Sequence, residues 1–162
     1  MKPTITKVSS ITVLSLAVLI VISTALAGTA GDPVSGSGEA LANMATGQAI
    51  GSATLVVRGV ELSATVVVQL GIPSFSDEGV LHAESSHMFT FANGTITTSD
   101  KVVGEPVNEF GLFALNEKLT IVSGTGAFDG ASGNLTVHGQ MQFISQIEAL
   151  VSYDVRGVIL SN

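Results

Sequence analysis

From about residue 50 onward, apolar and polar residues alternate with a period of two. Leu135, Val137, Gly139, Met141 and Phe143 alternate with Thr136, His138, Gln140 and Gln142. Ala149, Val151, Tyr153, Val155, Gly157 and Ile159 alternate with Ser152, Asp154 and Arg156, and Leu119 and Ile121 flank Thr120. Successive side chains of a strand point to opposite faces, so each run predicts a strand with one apolar and one mostly polar face. Residues 53–58, 62–70 and 111–115 alternate more weakly, and Val66, Val67 and Val68 suit a strand buried on both sides. Gly, Asn and Asp separate these runs, and no segment holds a helical spacing. The clearest hairpin spans Met88 to Thr98, with Asn93 and Gly94 as the preferred pair for a two-residue type I′ turn. That turn predicts Phe91 opposite Ile96 on a buried face and Thr90 opposite Thr97 on the other.

Seven or eight such strands fit a closed barrel or a sandwich. Closure removes exposed sheet edges, so the expectation is an all-β fold, a single antiparallel eight-stranded β-barrel over residues 49–162. Ahead of it, the stretch 28–38 (GTAGDPVSGSG) is rich in Gly and Ser without apolar periodicity, and residues 39–48 suit either a brief helix or no fixed structure. Residues 28–48 therefore read as a flexible linker.

Composition changes the picture most at the N-terminus. Lys2 and Lys7 precede an uncharged run from Ile11 to Ala25, and small residues at Ala25 and Ala27 precede Gly28. This is the order of a secretory signal, residues 1–27, cut after Ala27. An uncleaved anchor is the rival, because the run approaches the roughly 18 residues that span a bilayer. The expected location is the periplasm, the cell surface or the medium. The chain has no Cys, which excludes a disulfide framework and thiol chemistry. Without Lys2 and Lys7, 4 basic residues face 13 acidic ones, a net charge of about −9. Nucleic acid and anionic membrane surfaces need clustered Lys or Arg, so neither is an expected partner beyond the signal segment itself.

The stretch from Leu119 to Gln140 reads LTIVSGTGAFDGASGNLTVHGQ. Gly124, Gly126, Gly130 and Gly133 suit a compact turn between two strands, and Phe128 suits a plug for one end of a barrel. A phosphate-cradling loop is the rival; it lacks Lys and Arg, and a strand rather than a helix follows it. The segment resembles the G-T-G-x-[FY]-x-G-A-x-G turn of the allene oxide cyclase and dirigent barrel-like families, which bacterial secreted proteins of unassigned role also carry. The resemblance is close over about 20 residues and organisational over the rest of the domain. It implies a calycin-like eight-stranded barrel, often oligomeric, whose apolar cavity restrains a reactive ligand. The chemistries it implies are cyclisation of a fatty-acid epoxide and stereochemical control of phenoxy-radical coupling. No residue role carries over, and shared fold alone does not establish either reaction.

His82, Glu84 and His87 form the only His/Glu cluster. On one continuous strand His82 and Glu84 face one side and His87 the other, which splits the ligands a metal needs, so no metal is expected. No cofactor is expected either. Tyr153, the single tyrosine, falls on an apolar face, where a hydrogen-bonded core phenol competes with a ligand contact. His87, Phe89, Phe91 and Tyr153 are the candidate cavity-lining residues. Asp154 and Arg156 suit an exposed salt link. Three functions follow: a binding or structural module for a small apolar ligand, a cyclase or isomerase using the same cavity, and a homo-oligomer joined through outward Leu150, Val158 and Leu160. The enzyme reading requires at least two polar side chains converging inside the barrel.

Overall fold

The computed structural model describes residues 28–161, with side chains from 31 to 160. The expected signal segment, residues 1–27, lies outside the described residues. These contain nine strands and no helix: β1 (Gly28–Asn43), β2 (Gln48–Val57), β3 (Val60–Leu70), β4 (Ser74–Phe75), β5 (Leu81–Phe91), β6 (Gly94–Pro106), β7 (Leu112–Gly126), β8 (Ser132–Phe143) and β9 (Glu148–Ser161). Eight of them form one closed antiparallel barrel. Each long strand pairs with its neighbours in sequence, β3 pairs with β5, and β9 closes onto β1. The two-residue β4 pairs only with the start of β5.

The stretch expected to be a linker, residues 28–48, is instead mostly β1. It pairs with β2 from Val34 to Asn43 and with β9 from Asp32 to Asn43. Its inward positions include Val34, Ala40 and Ala42, all buried. Between them sits Gly36, where a Cβ would lie 2.2 Å from the Thr54 carbonyl oxygen. The glycine there permits close strand approach instead of supplying flexibility. Without β1 the barrel would have two open edges, so the folded domain starts well before residue 49.

The predicted hairpin forms with a different register. Phe91 pairs with Gly94, Thr90 with Thr95 and Phe89 with Ile96, so Ala92 and Asn93 make the turn. The shift leaves Phe91 and Ile96 on the same buried face. Gly94 belongs to β6, and the position requires glycine because a Cβ there would lie 2.1 Å from the Thr125 carbonyl oxygen. The turn with positive φ at both central residues is Arg58 (53°) and Gly59 (77°), between β2 and β3. Asp154 and Arg156 form no ion pair among the described residues; Arg58 pairs with buried Asp32 instead.

Inward side chains are unevenly sized along the barrel. Toward the end formed by the β2–β3, β5–β6 and β7–β8 turns lie Leu55, Phe89, Phe91, Ile96, Leu119, Ile121, Leu135 and Ile159, all buried. The Gly-rich turn folds over this end. Phe128 is buried with its ring 4.9 Å from that of Phe91, and Ala127 N–H donates to the Asn93 carbonyl at 2.9 Å. Toward the opposite end the inward residues include the small Ala40, Ala42, Ala49, Ala83, Ser85 and Gly104 among larger ones such as Val68, Leu81 and Met141. That half is not filled.

Candidate functional site

The small residues of the open half leave a cavity of about 90 Å³. Its wall includes Ala40, Ala42, Ala49, Val68, Leu81 and Met141, and Met44, Leu70, Gly71 and Pro73 stand at its mouth. The wall is almost wholly apolar. Its polar members are Ser85, His87, Glu117 and Tyr153, and it includes no Lys or Arg.

Strand parity brings these groups together. On β5 the inward series is Leu81, Ala83, Ser85, His87 and Phe89; on β7 it is Leu115, Glu117 and Leu119. On β6 between them, Thr98, Asp100 and Val102 point inward. Ser85 pairs with Asp100, and Val102 with Glu117, so three adjacent strands set His87, Asp100 and Glu117 side by side. The His87 Nδ1 lies 2.8 Å from Asp100 Oδ2, with side-chain exposures of 6% and 0%. Ser85 Oγ donates to the same Asp100 oxygen at 3.4 Å. The backbone N–H of His87 donates to Thr98 Oγ1 at 3.2 Å, and the His87 ring stacks on Phe89 with centroids 5.7 Å apart and planes 13° apart. Tethered on one edge and backed on one face, the imidazole has a fixed direction. Its Nε2 lies 3.9 Å from Glu117 Oε2, longer than a hydrogen bond.

Tyr153 enters from β9. Its neighbours across both ladders are glycines, Gly38 on β1 and Gly139 on β8. A Cβ at Gly38 would lie 2.5 Å from the phenol oxygen, and one at Gly139 would lie 2.8 Å from the Tyr153 Cβ. The two glycines make the bed in which the ring lies.

Three buried polar atoms in this cluster have no hydrogen-bond partner: Asp100 Oδ1, Glu117 Oε2 and Tyr153 Oη. Unpaired buried polar atoms are rare because each costs about 1–3 kcal/mol. Two of these three belong to residues that line the cavity. Burial pushes Glu117 above the ordinary carboxyl value of 4.5; the His87 ring opposes that rise and Asp100 adds to it. Burial also raises the Tyr153 phenol, to about 12, with the Glu117 charge as a second cause. Both shifts favour the protonated form, in which each group is a hydrogen-bond donor on a residue that lines an apolar space.

Of the four residues expected to line a cavity, His87 and Tyr153 do so. Phe89 and Phe91 do not: they lie in the packed half, where Phe89 supports the His87 ring and Phe91 meets Phe128. His82 and Glu84 are exposed on the outer face, and among the described residues no group of three or more His, Asp or Glu side chains is placed to hold a metal ion. The reading of the sequence missed Ser85, Asp100 and Glu117. A signal for the two acids was present in the alternation, since Ile96, Thr98, Asp100 and Val102 share one parity, as do Leu115, Glu117, Leu119 and Ile121.

No family model matches the chain, and no curated protein matches it. Among solved structures it is similar to a pterocarpan synthase dirigent protein, at 18% identity over 87% of this chain and 96% of the other, with a TM-score of 0.37. No residue role is transferred on that similarity.

Proposed function

We propose that this chain is an exported β-barrel that binds a small apolar ligand in its open half, with the ligand's polar group turned toward Glu117 and Tyr153. The observation that carries this reading is an apolar cavity lined by Glu117 and Tyr153, each of which carries a buried oxygen without a partner. A packed core would have replaced them or paired them. An apolar body with one polar end supplies what both the wall and the two atoms lack. Native mass spectrometry of the protein purified from its own host tests the proposal. A bound small molecule released on unfolding supports it; a chain of bare mass that also binds no member of a lipophile panel contradicts it.

A second reading is that the cavity acts on its ligand, as a cyclase, an isomerase or a stereocontrol protein. The convergence of His87, Asp100, Glu117 and Tyr153 favours it, because acids and bases grouped in a cavity are typical of catalytic clefts, and burial raises the proton affinity of Glu117 and Tyr153. On an identified substrate, Tyr153→Phe and Glu117→Gln should lower turnover; unchanged turnover in both removes the reading. We also propose self-association through the outer face, where Leu150, Val158 and Leu160 are exposed at 53%, 40% and 44%. Sedimentation showing monomer alone would refute that.

A further inference from the structure

We propose that the open half of the barrel is a carbonyl site: the oxygen of a small uncharged ketone or aldehyde is received by Glu117 and Tyr153, and His87, steered by Asp100, moves a proton on the carbon beside it. The inference rests on the reading of the cavity as a ligand site.

The choice of ligand class follows from what the wall offers. Glu117 and Tyr153 both line the space of about 90 Å³, and each carries a buried oxygen without a partner, Oε2 and Oη. In their protonated forms the two groups are donors, and two donors call for an acceptor with two lone pairs, which a carbonyl oxygen has. An anionic head group is disfavoured, because no Lys or Arg lines the cavity and Asp100 lies just behind His87. A buried anion without a cation is costly. A purely apolar ligand would leave both donors unpaired, at the cost they already carry.

The arrangement also meets the needs of proton transfer. A phenol and a neutral carboxylic acid in an apolar site are a donor pair able to hold a developing enolate oxygen. When His87 donates Nδ1–H to Asp100, its Nε2 carries the free lone pair on the side of Glu117. Nε2 takes a proton from the α-carbon. The C–H electron pair becomes a C=C bond, and the carbonyl π pair withdraws to the oxygen. That oxygen is held by hydrogen bonds from Glu117 and Tyr153, which keep their protons. The proton then returns from Nε2 to the α-carbon, or to the γ-carbon of an unsaturated ketone, and the carbonyl re-forms. Nothing is oxidised and no co-reactant is consumed. His87, Glu117 and Tyr153 touch the ligand; Asp100 is a positioning residue, since it acts only through the imidazole.

The test uses three five-carbon-ring probes with the full exported protein: cyclopentanone, cyclopentane and cyclopentanecarboxylate. Binding is read by ligand-observed NMR, and loss of the α-proton signals of cyclopentanone in D₂O is read in the same samples. The expected order of affinity is ketone first, hydrocarbon second, carboxylate last. Glu117→Leu and Tyr153→Phe should each weaken ketone binding by up to about tenfold and leave cyclopentane unaffected or slightly tighter. The protein should accelerate α-exchange over buffer. His87→Gln should cut that acceleration by about a hundredfold or more with affinity retained. Asp100→Asn, with the ring still present, should lower exchange at unchanged affinity and move its pH profile, which a merely structural role would not do. Cyclopentane and cyclopentanone binding equally would overturn the donor pair while sparing the cavity. A tightly held carboxylate would overturn the ligand class. Exchange that persists in folded His87→Gln, or ketone binding without any exchange, would overturn the proton transfer. Failure of all three probes to bind would remove the cavity reading as well.

Discussion

The two halves of this barrel share one set of strands and differ in what the strands carry. In the closed half, inward positions hold Phe, Leu and Ile, and Phe128 seals the end against Phe91. In the open half the same strands place Ala40, Ala42, Ala49, Ala83 and Ser85 among the larger Val68, Leu81 and Met141. Interiors are packed to near-crystalline density, so side-chain volume at fixed backbone spacing decides which half is solid. The closed half thus carries stability. The open half holds Asp100 and Glu117, the two buried acids of the polar cluster, in surroundings that raise the proton affinity of Glu117. A barrel can give up packing at one end because the other end is complete.

The sharpest way to break this contrast is truncation. Phe89→Ala, at 1% exposure in the closed half, should cost about 3–5 kcal/mol in urea unfolding, and Leu119→Ala, at 0%, about 2–5 kcal/mol. Met141→Ala, on the cavity wall, should cost less than either, since one side of that side chain faces empty space. Equal losses in both halves would end the comparison.

Enlarging alanines should give effects of opposite sign. Ala64 is buried beside Phe91 in the closed half, so Ala64→Leu should overpack it and destabilise by about 1–3 kcal/mol. Ala49 lines the cavity, so Ala49→Leu should stabilise by about 1–2 kcal/mol, from burial of added carbon, while blocking ligand binding. The signs agreeing would mean that the open half is already full.

A smaller effect follows from Glu117. In the unfolded chain the group ionises near 4.5, whereas the fold holds its proton to higher pH. As pH climbs above 4.5 the unfolded chain releases a proton that the folded chain keeps, so stability declines until the folded group also ionises. Glu117→Gln has no proton to hold and should lack this decline. Its melting temperature relative to the parent should therefore rise between pH 4.5 and neutral; a constant difference across that range would contradict the shift.

The smallest signal is spectroscopic. Tyr153 is the only tyrosine and there is no Trp, so the ultraviolet titration of tyrosinate reads this one phenol. Its midpoint should lie near 12, well above the ordinary 10. In Glu117→Gln it should fall part of the way back, because burial is the larger cause and the Glu117 charge the lesser.

The closed half was the more legible in the sequence. Period-two alternation from Leu119 to Ile159 located β8, β9 and the inner part of β7, and the Gly-rich turn with Phe128 marked the sealed end. Three features were obscured: β1, which runs through both halves, the register of the β5–β6 hairpin, and the two acids of the open half. Small side chains in β1 look like a linker, since Gly and Ser carry no apolar signal and strand closure onto β9 is a long-range event. Asn93 and Gly94 showed a turn, but the demand for a glycine came from close approach to Thr125, a contact invisible locally. Asp100 and Glu117 were missed because charged residues seldom face inward. Only extending the alternation across them would have placed them in the core.

The most direct test of the account is the infrared carbonyl stretch of a protonated carboxylic acid as pH is raised past the ordinary carboxyl value of 4.5, taken as the difference between the parent protein and Glu117→Gln. The open half as described requires a neutral-acid band that disappears in the variant and shifts when a ketone enters the cavity. Loss of only carboxylate bands in that difference would mean Glu117 is ionised and solvated, and the half-open barrel with its buried acid would be wrong.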